Sequence, residues 1–184
     1  GGRPTGGRGR PDQRRRPTQE ERTAEQQIYD GPPIPDDISA KDLDKYARQQ
    51  LQGLPEKLAD KVARHLVMAG LLMVEDPEQA YKHALAARAR ATRSALVREA
   101  CGETAYAAGK WSEALSEFRA ARRMSGNQMY AAMMADCERA LKRPEKAIAY
   151  DTPELRMKLD DAGGVELSIV VAGARRDLGQ GEAA

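Results

Sequence analysis

From about residue 39 to residue 178, apolar side chains recur at intervals of three and four, the signature of helices that bury one face. Ser39, with Asp42 three residues on, forms a capping pattern that opens a helix over about 40–52, with Leu43, Ala47 and Leu51 on one side. Gly53-Leu54-Pro55 stops it, and Pro55 suits the first turn of the next helix. That helix carries Leu58, Val62, Leu66 and Met73 along one stripe. Asp76-Pro77-Glu78 restarts the chain with a cap, a proline and an acid favoured by the helix dipole, leading into a helix that ends near Arg93. Further helices are predicted over about 94–108, 112–124, 128–141 and 145–150, punctuated by Gly109, by Ser125-Gly126-Asn127 and by Arg143-Pro144. Thr152-Pro153-Glu154 repeats the cap-proline-acid device, and a last helix is expected over 165–178, after Gly163-Gly164. Val165 to Val171 has some strand propensity but runs straight into Ala-Gly-Ala-Arg-Arg, so it reads as helix and the whole pattern is all-α.

Composition sharpens this picture at the N-terminus. Residues 1–17 offer no aliphatic or aromatic side chain to a core, which predicts a disordered tail. Arg3, Arg8, Arg10, Arg14, Arg15 and Arg16 stand there against Asp12 alone, giving +5 and leaving −3 for residues 18–184. Gly31-Pro32-Pro33-Ile34-Pro35 reads as a semi-rigid spacer, so residues 1–35 are expected to be tail and linker, and 36–184 the folded domain. The longest apolar run, 66–74, is about half of the ~18 residues a membrane span needs. No secretory signal is visible, although the chain starts at Gly1. Cys101 and Cys137 lack metal-ligand spacing and are expected as buried free thiols in a cytoplasmic protein.

The helices also repeat. Within 101–121, Gly102 matches a helix-crossing residue and Gly109 a turn, Ala114 opens the second helix, and Phe118 and Ala121 follow at fixed offsets. This segment resembles the tetratricopeptide repeat, with that family's first-helix aromatic displaced by one position, to Tyr106. Ala80 lies 34 residues before Ala114 and Ala147 lies 33 after it, close to the family's 34-residue period. Residues 177–184 look like a partial fourth copy, with Gly179 and Ala184 spaced like Gly109 and Ala114, as expected of a fragment of a longer protein. The Ala/Arg richness is similar to that of actinobacterial members. The resemblance implies a right-handed α-solenoid of antiparallel hairpins over about 56–93, 94–124 and 127–150, with a partial fourth over 153–184.

In such an array the first helix of each hairpin lines a concave groove. The register then points inward at His65, with Ala69 and Leu72, at Glu99, Glu103 and Tyr106, and at Met133, Asp136 and Arg139. Acids beside apolar side chains would favour a basic or mixed peptide; the same acids also suit merely solvated helix faces. The clustered methionines Met124, Met129, Met133 and Met134 read as core filling. The arginines Arg88, Arg90, Arg93, Arg119, Arg122 and Arg123 read as outer, solvated positions. No catalytic constellation is visible. His65 and His83 lack ligand-spaced partners and are expected at the surface or in the groove, Asp160-Asp161 lacks the alternation of a calcium loop, and no cofactor or metal is implied. The expected function is therefore non-catalytic: a scaffold that binds a partner protein through a peptide or helix in the groove. The alternative is an RNA- or ribosome-associated protein whose six tail arginines contact phosphates. A membrane partner is not expected.

Overall fold

The computed structural model describes residues 29–179. The expected tail disorder, the six tail arginines and the last residues of the partial fourth copy lie outside them. The described residues are all-helical. After a 3₁₀ turn over Ala40–Asp42 come α1 (Lys45–Gln50), α2 (Glu56–Leu72), α3 (Pro77–Arg90), α4 (Ala95–Ala107) and α5 (Trp111–Ser125). They are followed by α6 (Ala131–Ala140), α7 (Pro144–Ile148), the single turn α8 (Pro153–Arg156) and α9 (Asp161–Asp177).

Local chemistry sets these boundaries. Asp76 accepts from the amide of Gln79 with Pro77 in the first turn, Ser94 accepts from Val97, and Thr152 accepts from Leu155. Gly126 ends α5 at φ 72°, a left-handed conformation that an L side chain adopts only at a cost. The ends expected near Arg93 and at about 128 shift to Arg90 and Ala131, and two helices change more. The helix over 40–52 is split, because the Ser39–Asp42 capping box closes only a 3₁₀ turn. Leu43 is then extended, and Asp44 caps α1 through the amide of Ala47. The last helix starts at Asp161 rather than 165: Asp160 accepts from the Gly163 amide at 2.7 Å, which puts Gly163-Gly164 inside the first turn. Asp160 thus caps a helix.

Consecutive helices pack as pairs, α2 on α3, α4 on α5 and α6 on α7, with α4 lying also on α3, α6 on α5, and α9 on both α6 and α7. Three apolar clusters fill the layers. One joins Leu51, Val62, Leu66, Ala84 and Val97; the next joins Tyr81, Ala105, Leu115, Phe118 and Met134; the third joins Ala135, Ala147, Leu167 and Val171. Small residues let the backbones close. Ala80, Ala114 and Ala147 are each fully buried, and a Cβ on Gly102 would stand 2.5 Å from the Phe118 ring. Phe118 in turn stacks on Tyr130 at 4.8 Å between centroids. Of the four clustered methionines only Met134 fills the core; Met133 is half-buried, and Met124 and Met129 are exposed.

Two groups of charges behave differently from the expectation of solvated outer faces. Glu117, buried on α5, takes Arg88 from α3 and Arg98 from α4. Glu138, buried on α6, takes Arg119 from α5 at 2.8 Å and Arg143 at 2.7 Å. Buried carboxylates persist only when paired and hydrogen-bonded: Glu117 accepts from both of its arginines, whereas Glu138 accepts from Arg119 and is ion-paired with Arg143 without a hydrogen bond at Oε2. The described part of the expected linker, 29–35, lies against α2 and α3. Asp30 bridges Lys61 and Arg90, Gly31 passes at φ 78° over Ala86 and His65, and Arg64 donates to the carbonyls of Pro35 and Ile38.

Candidate functional site

Helices α4, α6 and α9 face one another across a concave space. The end of α4 contributes Tyr106, whose hydroxyl donates to Asp136 Oδ2 on α6 at 2.5 Å. Burial and the Asp136 carboxylate both raise the phenol's pKa, so it stays a neutral donor. One turn before and one turn after Asp136, α6 presents Met133 and Arg139. From the far wall α9 supplies Glu166, Ile169 and Val170, closing a cavity of about 440 Å³ with Tyr106, Met133, Asp136 and Arg139. A second hollow of about 650 Å³ shares Asp136 and Arg139 and continues past Lys142 and Pro144 to Asp177. Arg139 is pinned at the junction: its Nε donates to Asp177 Oδ2 at 2.6 Å, and a Cβ on Gly173 would strike its guanidinium. The same bond raises the arginine's pKa and lowers that of Asp177.

Farther along α4 stand Glu99 and Glu103, both half-buried. Tyr130 donates to Glu103 Oε1 at 3.1 Å. Burial raises the pKa of both acids, assisted at Glu99 by the neighbouring Glu103 charge and opposed at Glu103 by the Tyr130 bond. No ion pair reaches either of them among the described residues, whereas Glu117 and Glu138 each hold two arginines. The groove is therefore apolar at its floor and carries more acids than bases on its walls.

Of the seven residues read from the sequence as groove-lining, Tyr106, Met133, Asp136 and Arg139 meet in one cavity, and Glu99 and Glu103 share their helix with Tyr106. His65 does not belong. It is buried, as is His83, and the two Nδ1 atoms lie 2.9 Å apart, so one ring donates to the other between α2 and α3. Neither histidine is at the surface or in the groove, because the segment around Gly31 covers His65. The missed wall is α9. The spacing of Gly109 and Gly179 held the signal, since the same offset carries Glu99 to Ile169.

Among the described residues no three His, Cys, Asp or Glu side chains are grouped to hold a metal ion, and no helix is long and apolar enough to cross a membrane. Cys101 and Cys137 are buried free thiols, and burial pushes each up to about 12. Comparison with known proteins finds no matching family model, curated protein or solved structure.

Proposed function

We propose that this chain works by binding rather than by catalysis, as a tetratricopeptide-like helical solenoid that receives a peptide or helix of a partner protein between α4, α6 and α9. The observation that carries the reading is the groove itself. Tyr106, Met133, Ile169 and Val170 offer apolar contact in a preformed cavity, and Asp136, Glu166 and Arg139 supply polar groups at its edge. Ile169 is 65% exposed and Val165, one turn away, 60%, which leaves aliphatic surface bare on α9. The buried alanines at 80, 114 and 147, spaced close to the family period, support the solenoid reading. Two buried free thiols suit a reducing compartment, and the protein is read as cytoplasmic on that ground.

The test is direct binding. A panel of labelled amphipathic helical peptides is titrated against the full chain by fluorescence anisotropy, then against Val170→Arg and Met133→Glu. At least one peptide should bind saturably to the wild type and lose about tenfold or more in each variant, the scale of an interface anchor. Binding that is indifferent to both substitutions, with melting temperatures unchanged, would remove the groove from consideration.

A further inference from the structure

A further hollow, of about 360 Å³, shares no lining residue with the groove. Its walls come from the end of α5, from α7 and from the segment running into α8. They bring Arg119, Arg122, Lys146 and Lys158 around Tyr150, with Glu154 as the only carboxylate in the lining.

Several cations of this fold are met by acids. Arg88 and Arg98 share Glu117, Lys61 and Arg90 share Asp30, Arg139 holds Asp177, and Arg156 holds Asp151. In this hollow two of the four cations are left without a paired acid among the described residues. Arg119 shares Glu138 with Arg143, and Lys158 reaches Glu154 only at 3.8 Å, with that glutamate side chain 85% exposed. Arg122 and Lys146 form no ion pair with any described carboxylate. Four like charges converging on one concavity repel one another, and a cleft lined by a single sign of charge focuses its field on whatever enters. Tyr150 adds a polar group within the pocket. It is half-buried, with the Arg119 and Arg122 charges near it.

We infer that this hollow is a binding site for the phosphoryl or pyrophosphoryl group of a small ligand. Guanidinium forks match phosphate oxygens two at a time, and lysines add point charge without demanding geometry. The lining carries a net +3, which answers the two to three negative charges of a phosphate or pyrophosphate better than the single charge of a carboxylate. The volume is at the low end for small-molecule sites, enough for one phosphorylated group.

The experiment is a titration of the isotope-labelled full chain with pyrophosphate, and separately with orthophosphate, at fixed ionic strength, read by amide NMR shifts. Saturable shifts are expected at Gln128, Ala149 and Tyr150, with Arg122→Gln and Lys146→Gln each weakening the affinity about tenfold, the usual worth of one charge-assisted hydrogen bond. Both variants should melt with the wild type, since neither side chain is ion-paired. Lys57→Gln, on exposed α2 surface, should bind as the wild type does. Shifts confined to the N-terminal arginines, or equal losses in the Lys57 variant, would mean non-specific attraction and overturn the assignment. A short single-stranded RNA that moves these amides when pyrophosphate does not would also overturn it, giving the surface to a nucleic-acid backbone instead.

Discussion

His65 and His83 form a pair whose geometry permits a single hydrogen between them. Burial, then the nearby His83, Arg90 and Lys61 charges, press His65 down to about 4 from an unfolded value near 6.5, with Asp30 opposing, and burial also lowers His83. The unfolded chain therefore takes up protons between about pH 6.5 and 4 that the folded chain refuses. Stability conferred by the neutral pair is complete above 6.5 and drains away as pH falls through that window. Urea midpoints measured from pH 7.5 to 4.5 should show this slope, and His65→Asn should flatten it; an identical slope in the variant would place the titration elsewhere. Little of this was legible in the sequence. His65 sits on a helical stripe that the repeat register points at the groove, and what buries it is a glycine 34 residues earlier. Gly102 was easier to read. A glycine in mid-helix is unfavourable by about 1 kcal/mol relative to alanine, so its presence signals a close approach, here to Phe118.

The boundaries of most helices were legible because caps and stops act over three or four residues. Asp76-Pro77, Ser94, Gly126 and Thr152-Pro153 lie within that range of the amides and carbonyls they satisfy. The charged faces were read less well. Ala114, Glu117, Phe118 and Ala121 follow the i, i+3, i+4, i+7 spacing, so the pattern itself placed Glu117 on the buried side. What could not be seen was the partner set, because Arg88 and Arg98 come from two other helices. Replacing Glu117 with Ala should destabilise the fold by about 3 kcal/mol in chemical denaturation, since it strands two guanidinium groups in a half-dry layer. Glu113→Ala, one turn earlier and exposed, should change stability by less than about 0.5 kcal/mol.

For the whole molecule, the groove on α4 and α6 could be anticipated because a repeat period carries one inward position to the next. Its α9 wall carried the same signal, in the offset from Gly109 to Gly179, whereas the segment over α2 and α3 depends on contacts between distant parts of the chain that share no pattern. The charge division between tail and body gives a further test. Deleting residues 1–17 should sharply weaken binding to a generic polyanion, binding that falls steeply from 50 to 200 mM salt, while groove-directed peptide binding survives. Loss of peptide binding on the same deletion would put the tail, and not the groove, in contact with the partner.

Glu117 and Glu138 have one more consequence. Each sits where one helical pair meets the next: Glu117 on α5 draws in Arg88 of α3, and Glu138 on α6 draws in Arg119 of α5. Stacked helical pairs held by apolar contact alone can open one at a time, and each then exchanges its amide hydrogens at its own rate. Here, opening any inner pair breaks a clasp that its neighbour also needs, leaving a charge without its partner in a layer that stays closed. Adjacent pairs are thereby coupled into one cooperative unit. Amide exchange from α3 through α6 should converge on a single protection level instead of falling stepwise along the chain.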